Sequence, residues 1–404
     1  MLRVNTKEVG RGQSEKYNQV TDGRHLANDV RFSFYNHHTI MEAMESGRAM
    51  DLTKVPKRKD RCVMILGSGH SLDDAMPLIK DWEGDIICST SHFSTLVAHG
   101  RFPEHLVALD PDSSPEEIAI PSWDDCPTML HTHPGMMPEL IDAWKGPIGL
   151  YRKLQPQDPF YSKEQLIGYS PLGPFHDGRY WGSEAEVGIT AQIPMLASVL
   201  PVQLCVAKLL GYKQQVLVGC DFCWRDEAYR FTSSTWDGEK WTVNKPTTEI
   251  YNAYAGSSTD PIVETETDGL LSTPIQIFFS HQVMIAWRLT EYNIVSCSKE
   301  SLLPEVPYVP IDEVMRRGNK GVKGLNLKQI RERTEEHLAM QNIFFFYVGP
   351  GIMPHEFKDP LHDVPAQLDK VKALLEARGQ GDQLDIPANL KRIRKLFKKV
   401  ADAS

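Results

Sequence analysis

No stretch of this chain approaches the roughly 20 consecutive apolar residues that a membrane-spanning helix requires. The first thirty residues are polar and carry no apolar signal-peptide core. These absences lead to the expectation of a cytoplasmic chain with no membrane span. A basic excess is missing too: 44 Lys and Arg stand against 53 Asp and Glu, for a net charge of -9. Neutralising a phosphate backbone needs a basic surface, so the charge argues against bulk electrostatic binding to nucleic acid and leaves room only for a local basic patch. Cysteine is scarce and odd in number, at seven. The one close pair, Cys220-x-x-Cys223, lacks the second Cys/His pair of a structural zinc site. Several other cysteines sit in apolar runs, where a reduced thiol behaves as a small core residue, and this points to a reducing compartment. Walker loops, a complete Gly-x-Gly-x-x-Gly and internal repeats are all absent.

What is present is enough length, 404 residues, for two or three structural units and a sizeable core. A polar lead, a stretch of helical character over 25–50 and a charged link, Lys54-Val-Pro-Lys-Arg-Lys-Asp60, make up a first region, 1–58. From Arg61 apolar runs alternate with helix-like segments, the pattern of a mostly parallel α/β sheet with helices on both faces. The runs predict strands over 63–66, 85–89, 105–109, 128–131, 148–151, 214–222 and 293–298, with helices over 71–82, 91–99, 137–145 and from Thr273 to Thr290. Between Glu186 and Leu210, helical spacing interrupted by Pro194 and Pro201 predicts two helices or a kink. Residues 224–270 are polar and aromatic and read as a loop region, its aromatics fit either to stack on a base or sugar or to form a minicore. These segments form a Rossmann-like region, 59–310. A mainly helical C-terminal region, 311–404, ends in an amphipathic basic helix, with Leu390, Ile393, Leu396, Phe397 and Val400 opposite Lys391, Arg392, Arg394, Lys395, Lys398 and Lys399. Such a helix suits either packing with a solvated face or contact with an anionic partner.

In parallel sheets ligands bind beyond the carboxyl ends of strands, so the residues there are the candidates for chemistry. After the run Val63 to Leu66 comes Gly67-Ser-Gly-His-Ser71. Gly67 and Gly69 permit close backbone approach, Ser71 can cap the next helix, and exposed N–H groups at a helix N-terminus attract anions. A tight turn with no ligand accounts for the same residues. The run Leu106-Val-Ala-Leu ends in Asp110-Pro-Asp112, two carboxylates able to share Mg²⁺ with a diphosphate, and equally good turn chemistry. In His131-Thr-His133 the alternation puts both imidazoles on one face if the strand continues, as general bases, phosphate contacts or buried hydrogen-bonded rings. Finally, the run from Gln214 ends in Gly219-Cys-Asp221, a carboxylate placed to accept from ribose or sugar hydroxyls.

The order of these motifs resembles a known family. Ile65-Leu-Gly-Ser-Gly-His-Ser-Leu-Asp73, then His99-Gly-Arg-Phe-Pro-Glu104 leading into Val107-Ala-Leu-Asp-Pro111, is similar to the MptE-like domain family. That family includes 6-hydroxymethylpterin diphosphokinases and the motility-associated Maf flagellin glycosyltransferases. Its usual Gly-Pro-Ser is replaced here by Gly69-His70-Ser71. Further on, Cys205-Val-Ala-Lys-Leu-Leu-Gly-Tyr-Lys213, Val218-Gly-Cys-Asp-Phe222 and Ala228-Tyr-Arg-Phe231 resemble the core of bacterial sialyltransferases related to Maf. The resemblance spans about 61–310. It implies a modified Rossmann-like domain that transfers a nonulosonic acid from a cytidine nucleotide, with Tyr229 matching a tyrosine that holds the leaving phosphate. Two positions depart from the pattern. Thr267-Asp-Gly-Leu-Leu-Ser272 stands where a histidine base is expected, and Val199-Leu-Pro-Val202 replaces a small-residue loop that meets the nucleotide.

Together these readings lead us to expect a glycosyltransferase using a CMP-type nucleotide sugar. Gly67, Ser68, Gly69, His70 and Ser71 would hold the phosphate, with Asp110 and Asp221 also on the nucleotide, and His131, His133, Asp268 and Tyr229 are the catalytic candidates. The acceptor would be a hydroxyl of a protein, a glycan or a modified base. No tightly bound cofactor is expected. An alternative is ATP-dependent diphosphoryl transfer to a hydroxymethyl heterocycle with Mg²⁺ on Asp110 and Asp112. A second alternative is a nucleotide-binding or nucleic-acid-associated protein without chemistry of its own.

Overall fold

The computed structural model describes residues 3–6, 36, 39–110, 113–154, 189, 191–194, 198–225, 228–247, 261–267 and 269–340. Asp112, Asp268 and the basic segment 389–404 lie outside the described residues.

Eight parallel strands form the central sheet. In chain order they are β1 (Ala49–Asp51), β2 (Cys62–Leu66), β3 (Asp85–Ser89), β4 (His105–Val107), β5 (Met129–Thr132) and β6 (Ile148–Leu150). Outside the sheet, β7 (Arg152–Leu154) and β8 (Gln192–Pro194) pair with each other, before the sheet is completed by β9 (Gln214–Val218). Two small antiparallel pairs follow, β10 (Ser233–Trp236) with β11 (Trp241–Asn244) and β12 (Val263–Glu264) with β13 (Leu271–Ser272). The last sheet strand is β14 (Ile294–Ser296), and the spatial order is β1-β6-β5-β4-β3-β2-β9-β14.

Strands buried on both faces are rich in apolar residues, and this is why Cys62–Leu66 and the Val216–Val218 part of β9 read as continuous runs. Alternate residues serve opposite layers. Met64, Leu66, Ile86, Leu106 and Leu130 pack under α1 (Leu72–Ile79), α2 (Thr90–Ala98) and α3 (Pro138–Ala143). Val63, Ile65, Ile87, Val107 and Leu217 pack under α4 (Val199–Leu210) and α5 (Pro274–Thr290). Each such aliphatic side chain contributes about 1.5–3 kcal/mol on burial.

Several expectations are corrected. Residues 39–45 are helical, but Ala49 and Met50, expected to continue that helix, belong to the edge strand β1 on β6. Among the described residues of Glu186 to Leu210 there is one helix: α4 begins at Val199, and Pro194 belongs to β8. Pro201 falls in the first turn of α4, where the missing N–H would have lacked an intrahelical partner anyway. The aromatic region after Trp224 contains the hairpin β10–β11, whose Trp236 and Trp241 rings pair across the strands at 5.4 Å.

β1 is part of the sheet, and beyond 310 Asn319 Oδ1 accepts from Cys62 N at 2.9 Å while Val322 O accepts from Gln214 Nε2 at 2.8 Å. Helix α6 (Ile311–Arg317) follows directly on β14, and α7 (Leu327–Met340) packs along α5. No described helix is long and apolar enough to cross a membrane.

Candidate active site

From β2 the chain steps outward through β3, β4, β5 and β6, then returns to the other side of β2 as β9 and β14. The strand order therefore reverses between β2 and β9, and at such a reversal the loops leaving the carboxyl ends diverge and open a crevice. Loop 67–71 leaves β2 there, and loop 219–223 leaves β9 beside it.

The two loops are bonded to each other. Gly67 N donates to Val218 O at 2.8 Å and Gly69 N to Gly219 O at 2.7 Å. A Cβ at Gly67 would overlap the Gly219 carbonyl, and one at Gly69 would overlap the Asp221 carboxylate. Both glycines are thus required by the approach of one loop to the other. The phosphate cradle read from the sequence is narrower than expected, because the N–H groups of Gly67, Gly69 and Ser71 are already spent. Among the described residues the N–H groups of Ser68 and His70 meet no acceptor and remain to receive an anion.

Asp221 holds the loops together. Its carboxylate is fully buried, with Oδ1 accepting from Ser71 Oγ at 2.6 Å and Oδ2 from Ser71 N at 2.9 Å. Ser71 was expected to cap α1. It occupies the cap position, but its hydroxyl bonds Asp221 and makes no cap hydrogen bond. Ser298, just past β14, joins the cluster, its Oγ 3.2 Å from Ser71 Oγ and accepting from Cys220 N at 3.1 Å. His70 Nδ1 stands 3.3 Å from Asp221 Oδ2, an electrostatic contact.

A second chain reaches the loop from β3 and α2. Ser89 N donates to His92 Nδ1 at 3.3 Å, and Ser89 Oγ lies 2.8 Å from the same nitrogen. A backbone amide can only donate, so Nδ1 is the acceptor and the ring proton is on Nε2. Nε2 is 3.2 Å from Ser68 Oγ and is also drawn on by the Gly67 carbonyl. Ser68 Oγ is therefore an acceptor toward His92, and its own proton is available to the crevice. His92 stays neutral: burial, helped by the Arg230 charge, pushes it down to about 3. Phe231 stacks on His92 at 4.8 Å and donates its N–H to Ser68 O at 3.2 Å. Arg230 lies over the Phe231 ring, its Cζ 5.2 Å from the centroid, and its Nε has no partner among the described residues. Asp73 anchors the same loop by accepting from Thr232 N and Oγ1.

Loop 67–71, Asp221 and the loop carrying Tyr229 are thus brought together, with the Tyr229 ring edge-on to Trp224 at 6.3 Å. The other candidates lie elsewhere. Asp110 is exposed after β4, two strands from β2 and so roughly 10 Å across the sheet. His133 is buried past β5, with Nε2 donating to Leu109 O at 3.1 Å and Nδ1 accepting from Gly135 N at 3.1 Å. His131 lies inside the sheet in a buried chain. Its Nε2 is 2.9 Å from His105 Nδ1, His105 Nε2 is 2.7 Å from Tyr212 Oη, and that hydroxyl donates to Asp85 Oδ2 at 2.6 Å. Arg61 Nε approaches Asp85 Oδ1 to 2.6 Å at the outer end. Among the described residues no three His, Cys, Asp or Glu side chains converge as a metal site. Cys220 and Cys223 are both buried, and burial pushes both thiols up.

Sequence reading missed Ser89, His92, Arg230 and Ser298. Ser89-Thr-Ser-His92 at a strand end carried a signal, since a serine followed three residues later by a hydrogen-bonding side chain marks a helix start.

No known protein family matches the sequence, and no curated protein matches it. Among solved structures the chain is similar to the Maf glycosyltransferase of Magnetospirillum magneticum AMB-1, at 15% identity and a TM-score of 0.39. The match covers 71% of this chain and 38% of that one.

Proposed function

We propose that this chain is a glycosyltransferase that takes a nucleotide-activated sugar, with a CMP-linked nonulosonic acid as donor and a hydroxyl on a protein, glycan or modified base as acceptor. The observation that carries the reading is the donor set at the strand-order reversal. Ser68 N–H and His70 N–H meet no acceptor among the described residues, Ser68 Oγ keeps a proton to donate, and Arg230 sits on the loop of the Ala228-Tyr-Arg-Phe231 motif, whose Phe231 N–H bonds Ser68 O. Donors without a matching carboxylate suit a phosphate, and Arg can supply the charge that neutral His92 does not. The choice of cytidine and of an acid sugar rests on the motif order described above. In this reading Tyr229 and Arg230 stabilise the leaving phosphate, Ser68 and His70 hold its oxygens, and Gly67, Gly69, Ser71 and Asp221 shape the loop that presents them.

A thermal-shift panel of CMP, CDP, UDP, GDP, ADP and ATP, each with Mg²⁺ or EDTA, tests the reading. A ligand at one hundred times its Kd stabilises the folded state by about 2.7 kcal/mol. Stabilisation by CMP without metal, abolished in Arg230→Gln, is the expected result. Mg²⁺-dependent stabilisation by ATP, lost in Asp110→Asn, would transfer the assignment to diphosphoryl transfer. Silence across the panel would remove nucleotide binding altogether.

A further inference from the structure

Transfer to a hydroxyl needs a base at the crevice, and the buried histidines do not offer one. Both ring nitrogens of His92 and of His133 are engaged, and His131 is sealed within the sheet. His70 differs from all three. Its Nδ1 is buried 3.3 Å from Asp221 Oδ2, in charge contact without hydrogen-bond geometry, while 29% of the side chain is exposed and Nε2 is neither buried nor bonded to a described residue. Asp221 itself is inaccessible and fixed by Ser71 from two directions. A buried carboxylate behind one ring nitrogen, with the other nitrogen outward, is the arrangement that orients an imidazole as a base.

Ser272 Oγ donates to Phe222 O at 2.7 Å, and Trp224 pairs with Leu271, so Leu271 and Ser272 lie against the loop that carries Asp221. His70 thus reaches the same neighbourhood from β2. The groups facing His70 are Asp221 and, at longer range, Glu300, which is itself held by Arg225 at 3.1 Å.

We propose that His70, oriented by Asp221, is the general base of the reaction. This rests on the glycosyl-transfer reading above. Nε2 takes the proton of the acceptor hydroxyl while that oxygen bonds to the anomeric carbon of the donor. The bond from this carbon to the phosphate oxygen breaks, and its electron pair leaves with the nucleoside monophosphate. The imidazolium, beside Asp221, returns its proton to water. A positioned base of this kind typically contributes about 10²–10⁴ in rate.

Two measurements on the full chain test the assignment. In ¹⁵N-histidine NMR, with His70→Gln identifying the resonance, the resting ring should carry its proton on Nδ1, and Asp221→Asn should remove that tautomer preference. A ring protonated on Nε2, or a tautomer unmoved by Asp221→Asn, would overturn the proposal. The second measurement is CMP release from a CMP-nonulosonate. His70→Gln should lower kcat at least about a hundredfold and abolish the acid limb of the kcat/KM profile while CMP still raises Tm as in the wild type. Turnover within threefold of wild type would overturn it. If the wild type releases no CMP while the NMR result holds, the donor assignment fails and the oriented His70–Asp221 pair stands.

Discussion

The molecule holds histidines in two settings separated by a few strands. In the interior, His131 and His105 form a chain with Tyr212 and Asp85. Because Tyr212 donates to the Asp85 carboxylate, His105 Nε2 must donate to Tyr212, and His105 Nδ1 must then accept from His131 Nε2–H. His131 Nδ1 is left as a buried acceptor without a partner among the described residues, facing Gly149. At the crevice, His92 is equally buried but its proton is directed at exposed Ser68, and His70 is turned partly outward. The type of residue is the same in both places. Whether a ring acts on structure or on a ligand depends on what its second nitrogen meets.

Breaking the interior chain should have the largest effect on stability. Asp85→Ala leaves the Tyr212 hydroxyl without its acceptor and removes the carboxylate facing Arg61 and Arg58. A loss of about 3 kcal/mol or more is expected in urea unfolding, since a buried polar network loses its charged member. The ligand-induced shift in Tm should persist in the surviving folded protein. A variant that instead keeps its stability and loses ligand binding would invert the distinction between the two settings.

Acid tests both settings together. Burial pushes His92 and His131 down to about 3 in the folded chain, against an ordinary value near 6.5. As pH falls below about 6.5 the unfolded chain takes up protons that the folded chain refuses, so stability declines from there until pH approaches 3. His131→Gln should flatten part of that decline in a series of urea titrations. An unchanged slope would mean that His131 is protonated within the fold.

Glycine substitutions sharpen the comparison at smaller magnitude. A Cβ at Gly149 would lie 2.5 Å from His131 Nδ1, and one at Gly69 would meet the Asp221 carboxylate. Each alanine variant should cost about 1–3 kcal/mol by overpacking. Only Gly69→Ala should also weaken the ligand-induced shift in Tm. The smallest change is expected at Glu300→Gln, which breaks an exposed pair with Arg225 and should alter stability by about 0.5 kcal/mol or less.

Much of the scaffold was legible because strands buried on both faces carry apolar centres: Ile86–Cys88 and the runs within β2 and β9 announce themselves. Ala49–Asp51 did not, since three residues with a polar end at a sheet edge carry no distinctive period. Within the site, Gly67 to Ser71 and Asp221 were legible from their positions at strand ends. The direction of their hydrogen bonds was not, because it depends on how two loops distant in sequence meet. The pairing of Ser68 with His92 and the stacking on Phe231 likewise join residues that no local pattern connects.

The edge strand also governs the timing of folding. Ala49–Asp51 pairs in parallel with Ile148–Leu150, about a hundred residues downstream, while every strand between them can already associate with its neighbour. On a ribosome β1 emerges first among the sheet strands and must wait for β6 before it finds its partner. The earliest sheet strand to be synthesised is therefore the last of its half of the sheet to be placed, and Ile40, Ala43 and Ala49, all buried in the finished core, remain open to solvent or a chaperone through that interval.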